Sequence, residues 1–245
     1  MSAGSSEHRV DKHSIEESDR LRSPNQLCTP DARSHYQVHL DDHTGAPRPI
    51  TAVDQHAAIA CYKMNPEVPT SVAVHFETAK NLYLYGWFVF RFYPVAEQQA
   101  LASLEFALRE KLADFVNACK EKNPKAPIPS LRKLLKTAIE SGLLRNDAFL
   151  GRDQWALERA KDRFRLQKMR EMIAAGLDEM VLDDSGVHPT EEDLHYDWLG
   201  SFVETIPAIR NDYAHGSKTL HHSVLHTFDL ASQMINQLFP KTQNE

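Results

Sequence analysis

The sequence predicts an all-α fold, a helical bundle of six to seven helices behind a disordered N-terminal tail. Three observations predict this fold class. The alternation of β-branched and polar residues that marks strands is nearly absent. Long segments instead repeat apolar residues at the i, i+3, i+4 spacing of a helical face. Proline or glycine stands near the ends of these segments, where helices stop, and short connections between such segments are typical of a bundle.

The first 50 residues differ from the rest of the chain in composition. Serine, aspartate, histidine, arginine and proline are frequent there, with few large apolar side chains and no sustained periodicity. A segment of this kind buries too little apolar surface to offset the entropy that it loses on ordering. We therefore expect residues 1–50 to be a disordered tail and residues 51–245 to form the helical domain.

The first half of the domain contains several helical segments. Residues 53–62 predict a short helix, and a strongly aromatic stretch covers residues 76–92. Pro94 interrupts or kinks that stretch, and a helix with a clear leucine stripe follows it. Ser130 is the expected N-cap of an amphipathic helix over residues 131–141. The dense aromatic residues favour packing in a core or a dimer interface, with base stacking as the alternative.

The second half of the domain predicts three more helices. Residues 153–175 form a long charged helix that ends at a glycine. Thr190 begins a capping box for a helix that runs through Ile206, and residues 223–239 repeat apolar side chains at helical spacing.

Charge is unevenly placed along a chain whose formal net charge is −6. Residues 120–171 contain 14 Lys or Arg and 7 Asp or Glu, whereas residues 178–204 contain 9 Asp or Glu and no Lys or Arg. The acidic net charge argues against indiscriminate nucleic-acid binding, but a basic stretch beside an acidic one can guide a polyanion. The alternative is a solvated helix face followed by an acidic loop.

The sequence also bears on the cellular compartment. It contains no run of about 18 apolar residues, so it predicts no membrane span, and its polar N-terminus lacks the apolar core of a secretory signal. Cys28, Cys61 and Cys119 are scattered and odd in number. This pattern fits reduced thiols better than a disulfide framework, and we therefore expect a cytoplasmic protein.

The segment from Glu204 to Gly216 carries the most informative pattern in the chain. Asn211 follows Arg210 directly, and His215 comes four residues later, with an aromatic residue between them. An Arg and a His at about this spacing are also expected by chance. The adjacent Asn, the aromatic residue and the position between two late helices distinguish this occurrence from the others.

This Arg-Asn-x-x-x-His pattern resembles the motif of HEPN-domain proteins (higher eukaryotes and prokaryotes nucleotide-binding). That all-α family includes metal-independent endoribonucleases of toxin–antitoxin and antiviral systems. The resemblance covers roughly residues 75–240. Within this range, residues 101–110 are similar to an early helix of the family, but this similarity is much less specific than the motif. It implies that Arg210, Asn211 and His215 are the catalytic residues and that they line a cleft formed across a homodimer.

Two features depart from the family pattern. Ser217 stands where some members have a tyrosine two residues after the histidine, so no role for that tyrosine carries over. The segment from about residue 151 to residue 187 matches nothing in the core of the family fold, and we interpret it as an insertion.

The three residue types suit a metal-free ribonuclease. Histidine as a residue type titrates near neutral pH, so His215 suits the acid or base role. Arg210 offers two parallel N–H groups to the non-bridging oxygens of a phosphate, and Asn211 can orient either group or the ribose. Because one histidine is poorly suited to be acid and base in one step, a second His215 from a dimer mate would help. Attack by the 2′-OH would leave 2′,3′-cyclic phosphate ends.

Helix geometry sets a condition on this interpretation. On a continuous α-helix His215 would lie about 140° around the axis from Arg210, so the side chains converge only if the helix distorts or ends near residues 213–216. The alternative is structural: Arg210 pairs with a carboxylate at a helix end, and His215 interacts with the helix dipole. By default, Glu105 pairs with Arg109 on the surface of one helix.

The sequence therefore predicts an endoribonuclease with RNA as its substrate, no cofactor and no metal, and an inhibitory protein as a further partner. The alternative is a non-catalytic HEPN-like scaffold that binds nucleotides, nucleic acid or protein. A metal-dependent hydrolase is a third interpretation and the least favoured. It would use histidines 195, 215, 221 and 222, but adjacent His221 and His222 would point to different sides of a helix.

Overall fold

The computed structural model describes residues 15–41, 44–125, 127–214 and 221–242. The α-helices of these ranges are α1 (Ala52–Ala60), α2 (Thr70–Tyr85), α3 (Phe92–Lys111), α4 (Ala113–Lys122), α5 (Leu131–Glu140), α6 (Arg152–Ala174), α7 (Glu191–Leu194), α8 (Trp198–Ala214) and α9 (Leu225–Leu238). Strands β1 (Val38–Leu40) and β2 (Pro47–Pro49) form one antiparallel ribbon. The prediction of an all-α bundle is confirmed, with more helices in the described ranges than the six to seven expected. No helix in these ranges has both the length and the apolar character needed to cross a membrane.

Helix α3 lies at the centre of the bundle and packs against α2, α5, α8 and α9. Its leucine stripe forms the buried face, since Leu101, Leu104 and Leu108 are at most 1% exposed. These leucines share one apolar core with Phe76 of α2 and Phe228 of α9. Burying a leucine side chain stabilises a fold by roughly 1.5–3 kcal/mol. The centre of α3 is therefore firmly held in the core, and so are the backbone positions of the polar residues beside these leucines.

The aromatic stretch is not a single helix. Helix α2 ends at Tyr85, and the chain turns before α3 begins. A Cβ atom on Gly86 would lie 2.7 Å from the ring of the fully buried Tyr93, so this turn requires glycine. Pro94 interrupts no helix, because it lies in the first turn of α3, where a missing N–H is tolerated. The buried aromatic residues of the stretch are Phe76, Tyr83, Trp87 and Phe90, and the adjoining Tyr93 is buried too. Core packing therefore accounts for most of it.

The described part of the N-terminal segment is folded against the helices, which corrects the prediction of a disordered tail for this part. The side chain of Asp31 is fully buried, and its carboxylate accepts a hydrogen bond from the N–H of Phe90 at 3.2 Å. The backbone N–H of Asp31 donates to the carbonyl of Trp87 at 3.0 Å. Arg33 pairs with the same carboxylate at 2.9 Å. The N-terminal segment has few apolar residues to bury, and polar contacts with distant residues hold it in place instead. Residues 1–14 lie outside the described ranges.

The basic and acidic stretches pair with each other. Arg159 and Arg163 of α6 both donate to the carboxylate of Asp193, at 2.7 and 2.6 Å, and Arg165 pairs with Asp184 at 2.5 Å. The hydrogen bond from Arg163 holds the pKa of Asp193 far below its ordinary value. Because these acidic side chains neutralise several cations of α6, the structure favours a paired, solvated helix face over a surface that guides a polyanion.

Helix α6 makes up most of the expected insertion, and it is attached to the core at its N-terminal end. The ring centroid of Trp155 lies 5.4 Å from that of Trp198 and 6.1 Å from that of Phe202. Further along the helix, Leu166 and Met169 are about half exposed. The helix therefore extends from an aromatic anchor out to the solvent.

Helix α8 leads from the core to the Arg-Asn pair. Leu199, Phe202 and Ile206 are buried in its first half. Pro207 follows inside the helix and lacks the N–H that would bond to the carbonyl four residues earlier. The predicted capping box at Thr190 is present, but it caps the short α7 and not α8.

Candidate functional site

The last turns of α8 present Arg210 and Asn211 side by side on the surface. The side chain of Arg210 is 38% exposed, and Asn211 is exposed. Nη1 of Arg210 donates to Oδ1 of Asn211 at 3.4 Å. The structure thus brings these two predicted site residues together at one accessible place.

A buried carboxylate holds this arginine. Glu105 of α3 is 6% exposed, and its Oε2 lies 3.3 Å from Nη2 of Arg210. Its Oε1 accepts a hydrogen bond from Arg109 one turn further along α3. Burying an unpaired carboxylate is costly, and the two arginines are the partners of Glu105 in the core.

This arrangement both confirms and corrects the sequence interpretation. The i, i+4 pair between Glu105 and Arg109 is present, but Glu105 is buried and not on the surface. Arg210 does pair with a carboxylate, as the structural alternative expects. However, more than a third of its side chain stays exposed, so its guanidinium retains N–H groups for a ligand.

These residues line a cleft of about 540 Å³ between α3, α8 and the start of α5. Its polar and charged lining consists of Glu105, Arg109, Ser130, Arg132, Arg210 and Asn211. Three arginines face one glutamate in this set, so the local charge is positive although the whole chain is acidic. A positive, concave surface with planar guanidinium donors suits phosphate groups.

His215 lies outside the described residues, as do Gly216 and Ser217. The side chains of Arg210 and His215 meet only if the helix distorts or ends near residues 213–216. Helix α8 is continuous to Ala214, and residues 215–220 lie outside the described ranges. The proximity of His215 to Arg210 and Asn211 therefore stays a prediction.

A second polar cluster connects residues on the two sides of segment 215–220. Oη of Tyr213 donates to Oε2 of Glu97 on α3 and lies 2.7 Å from Nε2 of His221. Thr227 of α9 donates to Oε1 of Glu97 at 2.5 Å. Burial, reinforced by the hydrogen bond to Glu97, raises the pKa of Tyr213. The phenol therefore stays protonated and, as a donor, links α8 to α3, while Thr227 links α9 to the same carboxylate.

Sequence reasoning missed Glu97 as an anchor, although a signal was present. Glu97 and Glu105 both lie on the apolar face of α3, four residues before Leu101 and four residues after it. A carboxylate within a leucine stripe must find a partner when the stripe is buried. Those partners, Tyr213 and Arg210, are more than a hundred residues away in the sequence.

Among the residues that the structure describes, no group of three His, Cys, Asp or Glu side chains is placed to hold a metal ion. No protein-family model, curated protein or solved structure matches the chain significantly.

Proposed function

We propose that this protein is a metal-independent endoribonuclease of the HEPN type, with Arg210, Asn211 and His215 as its catalytic residues. One observation supports the proposal above the others. Arg210 and Asn211 stand together at the rim of an arginine-rich cleft, and a buried carboxylate fixes the guanidinium of Arg210. A fixed donor of this kind stabilises the charge that grows on a phosphate during transfer without having to reorganise.

The proposed reaction is an internal phosphoryl transfer in RNA. The 2′-oxygen attacks the adjacent phosphorus while the bond from phosphorus to the 5′-oxygen breaks. The 2′-OH gives its proton to a neutral His215, and the leaving 5′-oxygen receives one from a protonated His215 of a second subunit. Arg210 neutralises the non-bridging oxygens, and Asn211 orients the ribose or the histidine. The products carry a 2′,3′-cyclic phosphate and a 5′-OH.

The proposal extends to the setting of the enzyme. We place it in the cytoplasm. We also propose that it is a homodimer, because the reaction uses two histidines and the motif of one chain supplies only one. We further propose an inhibitory protein partner that restrains the cleavage of cellular RNA. This arrangement fits a toxin–antitoxin or antiviral defence system.

A cleavage assay in EDTA tests the proposal. The wild type is compared with R210A and H215A, and the ends of the products are analysed. Two exposed residues outside the cleft give matched controls, namely R145A and H195A, whose side chains are 63% and 78% exposed in the wild type. We expect cleavage with cyclic phosphate ends by the wild type and both controls, and loss of about 10²-fold or more in R210A and H215A.

The assay also separates the second candidate function. An anion-binding scaffold needs the three arginines of the cleft and no histidine. If the folded wild type binds RNA but never cuts it, the scaffold is the better description. Equal cleavage by all five proteins would place the activity at another site or in a contaminant.

A further inference from the structure

The cleft beside Arg210 is larger than one phosphate group requires. Its volume of about 540 Å³ lies within the roughly 300–1,000 Å³ of sites that hold small organic ligands. Arg210 and Asn211 occupy the wall formed by α8 and α3. The opposite wall is the segment from Ile128 to Arg132, where α5 begins. The chemistry of that second wall is not used by the proposed catalytic residues.

Arg132 is the cation of the second wall. It pairs with Glu204 of α8 at 2.9 Å, and the two side chains are 48% and 57% exposed. A solvent-exposed ion pair of this kind contributes only about 0–1 kcal/mol. A phosphate that enters the cleft can therefore replace Glu204 as the partner of Arg132 at small cost.

The other two arginines of the cleft are held differently. Arg109 and Arg210 share the buried carboxylate of Glu105, and removing either one takes away part of the charge that compensates a buried carboxylate. Arg109 and Arg210 thus form a positive wall that is held in place. Arg132, in contrast, can readily exchange its partner Glu204 for another anion. At the start of α5, the N–H of Lys133 donates to Oγ of Ser130 at 3.4 Å, whereas those of Leu131 and Arg132 have no acceptor within the helix.

We propose that Arg132 binds a second backbone phosphate of the substrate, next to the phosphate held by Arg210 and Asn211. This inference rests on the proposed function and specifies its substrate class. The cleft takes a polynucleotide chain with at least two consecutive phosphates, and a dinucleotide with one phosphate leaves the Arg132 subsite empty.

Binding of short all-deoxy oligonucleotides tests the subsite without cleavage, because they lack the attacking 2′-OH. The probes are a labelled dinucleotide and a labelled trinucleotide, measured by fluorescence anisotropy in EDTA at several salt concentrations. The variant R132A is compared with K136A, which removes a cation from the same exposed face of α5 but outside the cleft. Circular dichroism confirms that both variants keep the helical content of the wild type.

We expect the wild type and K136A to bind the trinucleotide more tightly than the dinucleotide. R132A should lose about tenfold in affinity for the trinucleotide and keep the affinity of the wild type for the dinucleotide. The dependence of log K on log salt should become shallower by about one unit for the trinucleotide in R132A alone. Equal losses in R132A and K136A, equal losses on both probes, or no binding by the wild type would each overturn the subsite.

The cleavage assay keeps the two proposals apart. If the wild type cuts no RNA but R132A still weakens trinucleotide binding selectively, the subsite stands and the ribonuclease falls. If the wild type cuts RNA and R132A matches K136A in binding and in KM, the subsite falls and the ribonuclease stands. If both proposals hold, R132A raises KM for long RNA and leaves kcat close to that of the wild type, since Arg132 lies away from the reacting phosphate.

Discussion

Oη of Tyr213 lies 2.5 Å from Oε2 of Glu97, so a hydrogen bond ties the end of α8 to the central helix of the bundle. The same carboxylate receives Thr227 from α9 and lies 3.5 Å from Nε2 of His221. The hydroxyl group of Tyr213 thus has a specific partner in the core, beyond the packing of its ring. The chain is therefore anchored to one buried carboxylate on both sides of the segment that carries His215.

The substitution Tyr213→Phe tests this anchor. It removes the donor and leaves the ring, so Glu97 loses one of its hydrogen bonds in a buried position. We expect a loss of about 1–3 kcal/mol in the free energy of unfolding, measured by urea denaturation at pH 7. Tyr85→Phe is the matched control, because Tyr85 is 56% exposed and should change by less than about 0.5 kcal/mol. Equal effects of the two substitutions would contradict the anchoring role.

The substitution Glu105→Gln separates binding from catalysis in the cleft. It removes the negative charge that Arg109 and Arg210 share, so the cleft becomes more positive while Arg210 loses its fixed orientation. We expect a lower KM for RNA together with a kcat reduced by about tenfold or more. Steady-state cleavage in EDTA measures both constants.

Glu110→Gln is the control for this experiment, because Glu110 is exposed on the same helix. It changes the net charge of the protein equally without touching the Arg109–Glu105–Arg210 cluster. A kcat for Glu105→Gln equal to that of Glu110→Gln would show that the buried carboxylate does not position Arg210.

The pairing of α6 with Asp193 makes a prediction about pH. Hydrogen bonds from Arg163 lower the pKa of Asp193 in the folded protein, whereas an unfolded Asp titrates at about 3.9. A carboxylate with a lowered folded pKa stabilises the fold above its unfolded pKa, and this contribution is lost as the pH falls towards the folded pKa. Asp193→Asn should therefore melt below the wild type at pH 6, and the difference should shrink below about pH 4.

Thermal melts of both proteins from pH 6 to pH 2.5 measure this narrowing. Asp153→Asn, at an exposed position in the first turn of α6, controls for the loss of one acidic group. A constant difference between the wild type and Asp193→Asn over the whole range would refute the ionic origin of the effect.

Asp31 makes a prediction about the N-terminal segment. Burial alone would raise its pKa, but hydrogen bonds from Arg33 and from the N–H of Phe90 lower it overall. In Asp31→Ala, the N–H of Phe90 and the guanidinium of Arg33 lose this acceptor. We expect faster limited proteolysis within residues 15–50 and a loss of about 1–3 kcal/mol of stability, while the helical content stays close to that of the wild type. Asp147→Ala, at a position 63% exposed, should be cut like the wild type.

Local signals were sufficient for most helices. The stripe of apolar residues after Ser130 predicted α5 to within one residue at its end, because capping and periodicity depend only on neighbours in the sequence. The capping box at Thr190 was also correct. Its helix ends after four residues, and Asp197 then accepts the N–H of Gly200 at the start of the next helix.

Contacts between distant residues could not be predicted in this way. The order of the N-terminal segment depends on Asp31 and Phe90, which are 59 residues apart. The cleft depends on Glu105 and Arg210 meeting across two helices. One sequence shows which residue types are present, but the partner of a buried charge is fixed only when the helices pack. For the same reason, the sequence predicts Arg210 and Asn211 as site residues but gives no role to Arg132 or Glu97.

Pro207 weakens α8 between its buried turns and its exposed end. The turns before it are held by buried side chains, and the turns after it end in Arg210 and Asn211. Because the helix lacks one internal hydrogen bond at the join, tilting its last turns costs less than bending an intact helix. The contacts of Arg210 and Tyr213 with the buried carboxylates of α3 therefore replace this missing support. They brace the end of α8 from the side, so its orientation depends on α3 more than on its own backbone.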